Sequence, residues 1–477
     1  MTLAKKAAYG IAWVTLSTML IRVFNFVTKI ILARLLAPAD FGLLAIGLLT
    51  INSMGLFRDL GFGAALIYKK DDSDHTAANT AFILLPIVAS LLFVLSYLSA
   101  PYIALFFDNV AVESIVRVLA LTFIISSFGT IPSMLLEKEL EFRKKLLPET
   151  VPAAGYACVT IGLALHGYGI WSLVYGQIVS AVLMSVLIWM VSDWRPTFRF
   201  DREVAGELFG YGKHIMGASV VIFLITNIDD AIVGRMLGME ALGFYTIAYT
   251  ISNLPATQIT HLVSRVMFPV YSKLQDDQDA LRNAYLKTLK YVSMLSIPAA
   301  FGIFVIAPDF VSVVLGDKWM PAVPALQVLC IFGMIRSIKA TFGPIFQATG
   351  NPKIIRDIAL LKLVLMLILI FPLTYKYGIL GTALATTVPS ILTAVLQIWK
   401  IAKIFNQKMF LLFRVLLPPF INAIIMMFAI LYLKSFFPVI SIFHIVILIF
   451  VGTIVYASVS LLQDKELRKE MKILIHW

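Results

Sequence analysis

Charged side chains interrupt the long apolar runs of this 477-residue chain. Each ionisable residue inside a membrane span costs about 2.5–3.5 kcal/mol on insertion scales, so such residues often mark function. Those within the apolar runs are Arg22, Lys29, Arg58, Asp59, Arg117, Asp229, Asp230, Arg265, Arg336, Lys339 and Lys362. Some lie near span ends, where the charge can reach the interface. For any one of them, a structural ion pair and a substrate role are both open.

These charges lean cationic, with eight basic and three acidic residues. Guanidinium groups bind phosphate through several fixed donors, so an arginine-rich cavity suits an anionic phosphate group. Arg336 and Lys339, spaced i and i+3, share one helix face. The pattern therefore predicts a cationic cavity for a substrate with a phosphate headgroup.

The first apolar run carries a polar stripe. Thr15, Thr18, Arg22, Asn25 and Lys29 fall within an arc of about 80° on a helix. A second stripe lies 201 residues later, where Ser219, Thr226 and Asp230 align with Thr18, Asn25 and Lys29. We expect both stripes to face one polar cavity and Lys29 to pair with Asp230. The stripe of Asn253, Thr257, Thr260 and Ser264 has two open interpretations, cavity lining or helix packing by small polar residues.

Motifs for other chemistry are missing from the sequence. It has neither a phosphate-binding P-loop nor a dinucleotide fingerprint, and its six histidines show no metal-ligand spacing. Cys158 and Cys330 lie in apolar runs and are interpreted as core residues. We expect no cofactor, no metal and, despite the net charge of +12, no nucleic-acid partner, because the basic residues flank apolar spans.

The elements that position these residues are predicted to be transmembrane helices. Hydrophobic residues make up 60% of the chain, charged residues 14%, and the mean hydropathy is +0.91. A span needs about 20 residues. We predict an all-α polytopic fold with fourteen spans near 9–33, 41–67, 79–106, 112–136, 149–166, 168–192, 211–237, 242–270, 285–315, 321–348, 354–375, 378–402, 410–433 and 438–462. The tight turns predicted at 167–169 and 377–378 make their flanking spans antiparallel.

The distribution of Lys and Arg predicts the orientation. With the N-terminus inside, the inner segments exceed the outer loops by about five to one in basic residues, so both termini are expected to be cytoplasmic.

An internal repeat is also visible in the sequence, because a 201-residue shift aligns Arg34 with Arg235, Gly42 with Gly243 and Asn52 with Asn253. This predicts two six-helix lobes related by pseudo-two-fold symmetry, residues 1–200 and 201–405, followed by two helices and a tail, residues 406–477.

The stretches "GIAWVTLSTMLIRVFNFVTKIILARLLAPADFGLLAIG" and "YGKHIMGASVVIFLITNIDDAIVGRMLGMEALGFYTIAY" resemble polysaccharide flippases of the multidrug/oligosaccharidyl-lipid/polysaccharide exporter superfamily. Within it, the likeness is to Wzx-like exporters of the colanic or teichuronic acid type. The resemblance implies ion-gradient-driven movement of an undecaprenyl-diphosphate-linked oligosaccharide to the outer leaflet of the bacterial inner membrane, by alternating access and without catalysis. Expected partners are this lipid, membrane lipids, a coupling ion (H⁺ or Na⁺) and polysaccharide polymerase machinery.

By this resemblance, the residues expected to hold the diphosphate are Arg22, Lys29, Arg58, Arg336 and Lys339. Asp229 and Asp230 are expected to sense the ion or pair between lobes, and Thr18, Asn25, Ser219, Thr226 and Asn253 to line the cavity. Three alternatives stay open. They are a multidrug exporter, a peptidoglycan-precursor flippase and a membrane glycosyltransferase or polymerase. A glycosyltransferase or polymerase would need acidic residues in a larger outer loop.

Overall fold

The computed structural model describes residues 3–58, 62, 66, 75–197, 199–436, 439–464 and 467–468, and every regular element in these ranges is a helix. Two short non-α turns follow α9, a π turn at Val311–Leu315 and a 3₁₀ turn at Asp317–Ala322. The helices are α1 Leu3–Leu35, α2 Pro38–Gly55, α3 Thr76–Phe106, α4 Ala111–Lys138, α5 Phe142–Leu165, α6 Ile170–Val191, α7 Arg202–Ser252, α8 Leu254–Lys273, α9 Gln278–Phe310, α10 Val323–Lys339, α11 Phe342–Ala348, α12 Pro352–Ile404, α13 Met409–Phe436 and α14 Ile442–Gln463.

Within these described ranges, nine helical stretches are long and apolar enough to cross a membrane. They confirm the all-helical polytopic class, while the count of fourteen spans and the lobe symmetry stay predictions. One predicted span is wrong as a continuous helix. The span 41–67 is interrupted because α2 ends at Gly55, and Leu56, Phe57 and Arg58 form a turn after it.

Glycines produce the tight reversals that the sequence predicts. Gly167 and Gly169 have positive φ between α5 and α6, a conformation that glycine adopts without steric cost. Gly378 interrupts α12 with φ 58° and ψ −139°. A Cβ on Gly381 would lie 1.8 Å from the carbonyl oxygen of Leu373. These residues would stand roughly 12 Å apart along one straight helix, so the chain reverses at Gly378. Gly238, with φ 85°, divides α7 in the same way.

The chain forms two compact units, Met1–Gly243 and Phe244–Trp477. In the first unit, α3 packs on α4, α5 on α6, α4 on α6, and α1 along α5. In the second unit, α9 packs on α10 and α13, α10 on α12, and α13 on α14. The lobe boundaries that the repeat suggests, at residues 200 and 405, stay predictions.

Candidate functional site

Helix α1 presents three distinct faces, and its predicted polar stripe occupies one of them. Ser17 and Thr28 are buried on the face toward α5. Roughly a third of a turn away, the stripe remains accessible, because Arg22 is half-buried while Asn25 and Lys29 are exposed. The third face is apolar and exposed, with Met19, Leu20, Val23, Val27 and Ile31. The structure therefore keeps the stripe out of the α1–α5 interface and beside a lipid-compatible surface.

Arg22 has the environment expected of an anion-binding residue. Its guanidinium Nη1 is buried and has no hydrogen-bond partner among the described residues. A buried donor left without an acceptor costs free energy, which an anionic ligand would recover. Thr18, one turn earlier, donates its hydroxyl to the carbonyl of Val14 at 2.7 Å. The unsatisfied donor of the stripe is thus the arginine rather than its neighbour.

A polar network, which sequence analysis missed, fixes α1 against its neighbours. Ser17 donates a hydrogen bond of 2.9 Å to Glu149 on α5. Glu149 is 3.4 Å from the ammonium of Lys145, which also pairs with Glu137 on α4. Lys145 is 5% exposed. Its position in the basic run 143–145 predicted only topology, because a sequence does not show which member of such a run is buried.

The acidic pair of α7 is inside the first unit. Asp229 is buried and Asp230 half-buried, while Thr226 is exposed and donates to the carbonyl of Ile222 at 2.8 Å. Lys29, the predicted partner of Asp230, is exposed on α1. The pairing of Lys29 with Asp230 stays a prediction.

Several predicted residues lie away from the polar stripes or outside the described side chains. Arg58 is exposed in the turn after α2 rather than inside a span, so the structure does not place it on a helix face. The side chains of Ser219, Ser264 and Arg265, and the whole of Asp59, lie outside the described residues. Arg117 pairs with Glu113 at 2.7 Å and covers the ring of Tyr97 at 4.5 Å. Of the two interpretations left open for Arg117, the structure thus shows the structural ion pair.

In the second unit, the structure brings two predicted site residues into contact. Arg336 on α10 donates to the side-chain oxygen of Asn253 at 3.3 Å. Asn253 is buried at the junction of α7 and α8 and donates to the carbonyl of Tyr249 at 3.1 Å. Gly333 permits this approach, because a Cβ there would lie 2.6 Å from the carbonyl oxygen of Ser252. Asn253 therefore orients Arg336, while its role in lining a cavity stays a prediction.

Two lysines extend the positive charge beside Arg336. Lys339 donates to the hydroxyl of Thr393 on α12 at 2.9 Å. The ammonium of Lys362 lies 5.1 Å from the ring centre of Phe332 and close enough to Lys339 for the two charges to repel each other. Between Asp317 and Asp464 the sequence has twelve Lys and Arg but one acidic residue, Asp357. Asp357 pairs with the neighbouring Arg356 at 2.9 Å. Asp357, the one acidic residue in the sequence of α10 and α12, is thus already paired with an arginine.

The buried and accessible cations of both units suit the binding of a multiply charged anion. In the second unit, Arg336 and Lys339 donate to neutral side chains, an amide and a hydroxyl, which orient the cations without removing their charge. Phosphate is an anion that Arg and Lys clusters commonly bind.

The fold and the sequence both resemble those of known proteins. The chain is 18% identical to the solved structure of the lipid II flippase MurJ in an inward closed conformation, with a TM-score of 0.77 over 96% of this chain and 99% of that one. The teichuronic acid biosynthesis protein TuaB of Bacillus subtilis is 28% identical over 88% of this chain and 87% of its own length. The lipopolysaccharide biosynthesis protein WzxC of Escherichia coli is 26% identical, covering 84% and 82%.

The family model described as "Polysaccharide biosynthesis protein" matches residues 31–324, more than half of the chain. This match includes α2 to α9 and the last residues of α1. The family resemblance expected from the opening segment and its echo is confirmed. The chain is a multi-pass membrane protein that belongs to the polysaccharide biosynthesis protein family.

Proposed function

We propose that this protein is a flippase that moves an undecaprenyl-diphosphate-linked oligosaccharide from the inner to the outer leaflet of a bacterial cytoplasmic membrane. The observation that carries the proposal is the buried, unsatisfied Nη1 of Arg22 on the polar face of α1. A diphosphate offers several acceptor oxygens to such a donor. The family and the flippase-like fold support a transported glycan lipid rather than a soluble anion.

The faces of α1 suit an amphiphilic substrate. The polar stripe would bind the diphosphate and the first sugars, while the adjacent exposed apolar face would leave the prenyl chain in contact with lipid. Arg22 and Lys29 are two turns apart, about 10 Å along the helix. This distance is comparable to the length of a diphosphate with its first sugar, so both cations can contact one headgroup.

The cations of the second unit would bind the same class of headgroup. Arg336 and Lys339 lie one turn apart on α10 and donate to neutral side chains, and Lys362 on α12 is close to Lys339. In alternating access, a substrate must be held strongly enough to enter and weakly enough to leave. Neutral partners such as Asn253 and Thr393 serve this purpose, because they orient a cation without removing its charge. Arg58, exposed after α2, would contribute by attracting the anionic headgroup.

Transport against a concentration difference requires an energy source, and Asp229 and Asp230 are the proposed coupling residues. Two adjacent carboxylates in a membrane span, one of them buried, are costly when both are ionised. Binding of H⁺ or Na⁺ would relieve that cost. The ion would then stabilise one conformation of the cavity over the other.

The experiment is deletion of the gene followed by lipid analysis and complementation. Lipid-linked repeat units should accumulate on the cytoplasmic side, and the wild-type gene should clear them. Arg22→Gln should fail to clear them at normal protein abundance, whereas Arg356→Gln, which removes an exposed arginine paired with its neighbour, should behave as wild type. A normal lipid profile in the deletion strain would refute the proposal. Accumulation of peptidoglycan precursor instead would identify a precursor flippase.

A further inference from the structure

A separate cavity of about 800 Å³ lies among α9, α13 and α14 in the second unit. This volume is within the range of small-molecule binding sites. Its wall combines apolar side chains such as Met294 and Val415 with the charged groups of Lys290, Arg414 and Asp464. None of these residues belongs to the proposed substrate site.

The charge of the cavity is positive. Lys290 and Asp464 form an ion pair at 2.6 Å, with about a quarter of each side chain exposed, and therefore neutralise each other. Arg414 is exposed at the wall and makes no hydrogen bond or ion pair within the described part of the chain. One uncompensated guanidinium thus remains to bind an anion.

The cavity also holds a buried polar group that requires a partner. Asn422 is 3% exposed and donates from its amide nitrogen to Ser460 at 3.1 Å. Its oxygen is buried without a hydrogen-bond partner among the described residues. Such an acceptor is costly unless a donor reaches it. A ligand that supplies a hydroxyl would satisfy the oxygen of Asn422. The hydroxyl-bearing side chain of Tyr456 lies in the same wall.

We propose that this cavity binds the headgroup of an anionic bilayer phospholipid. Arg414 would bind the phosphate, Asn422 would accept a hydrogen bond from a headgroup hydroxyl, and the apolar wall would contact the start of the acyl chains. The cavity contains the end of α14 and the first turns of α13, which the Lys and Arg bias predicts to be cytoplasmic, the side where anionic lipids attract basic groups.

The test measures binding of phosphatidylglycerol to the full-length protein in detergent by native mass spectrometry. Arg414→Gln should weaken binding about tenfold, since a charge-assisted hydrogen bond contributes roughly that factor. Asn422→Ala should also weaken it. Lys408→Gln removes an exposed lysine just before α13 that is outside the cavity and should bind as wild type. Phosphatidylcholine should bind more weakly than phosphatidylglycerol.

Three results would overturn the proposal. They are wild-type affinity in both Arg414→Gln and Asn422→Ala, an equal loss in Lys408→Gln, and binding of inorganic phosphate as tight as that of the lipid, which would identify a soluble anion as the ligand. Unfolding temperatures without added lipid separate lost binding from misfolding. The proposal is independent of transport, because a failure of lipid accumulation in the deletion strain would leave these affinities unchanged.

Discussion

Gly42 lies directly against the backbone of Met239, and a Cβ on Gly42 would stand 1.8 Å from the Met239 carbonyl oxygen. The reciprocal contact joins Gly243 to Pro38, where a Cβ would stand 1.9 Å from the carbonyl oxygen. Gly42 and Gly243 are 201 residues apart, and so are Pro38 and Met239. A two-fold relation gives such a pair, because residue i then contacts j and its equivalent j contacts i. This contact supports the internal repeat locally.

Gly42→Ala and Gly243→Ala are each expected to prevent normal folding. The obstructing atom is a backbone oxygen, which cannot move aside as a flexible side chain can, and close helix approach in membranes depends on small residues. The measurement is the yield of monodisperse protein in detergent. Gly162→Ala is the matched control, since a Cβ there meets nothing within 4 Å and alanine favours a helix. Equal yields from all three variants would contradict the expected close contact.

Lys145→Gln is expected to lower the unfolding temperature of the protein, because it leaves Glu137 and Glu149 without their shared cation. Removing one partner of a fully buried ion pair costs about 3–5 kcal/mol, and the loss here should be smaller because Glu137 is nearly half exposed. Asp193→Asn is the comparison. Lys144 donates to Asp193 at 2.6 Å and holds the pKa of that carboxyl below its ordinary value, but Asp193 is exposed. Surface pairs contribute little. A thermal-unfolding series should therefore show a decrease for Lys145→Gln alone.

Lys29→Asp and Asp230→Lys are each expected to abolish transport, and the double reversal to restore it. The two positions align across the repeat, and both side chains are at least partly exposed. Clearance of lipid-linked repeat units in the deletion strain is the measurement. Absence of rescue, at normal abundance of the double variant, would remove the pairing. Restored transport in the double variant would show that the two residues share a structural or coupling role.

The sequence predicted the helical class, the tight turns and the polar face of α1 because these depend on local pattern. Composition predicts spans, glycine predicts reversals at positions such as Gly378, and 3.6-residue periodicity predicts which side chains share a face. The sequence could not predict which side chains of other helices would be hydrogen-bond partners. Glu149 as the acceptor of Ser17, and Asn253 as the partner of Arg336, depend on helix packing that no local pattern encodes. The interruption after Gly55 was missed for a related reason, since the apolar residues continue through it.

The contact between Arg336 and Asn253 allows a structural role of Arg336 to be separated from a substrate role. If Arg336 binds the diphosphate, Arg336→Gln should reduce transport more than tenfold, whereas Asn253→Ala should reduce it less, because the cation remains and loses one orienting hydrogen bond. Arg336→Lys should retain part of the activity, since it keeps the charge without the planar fork. Transport and unfolding temperature are measured together for all three. Equal losses of stability and transport in Arg336→Gln and Asn253→Ala would instead assign the pair to holding α10 against the α7–α8 junction.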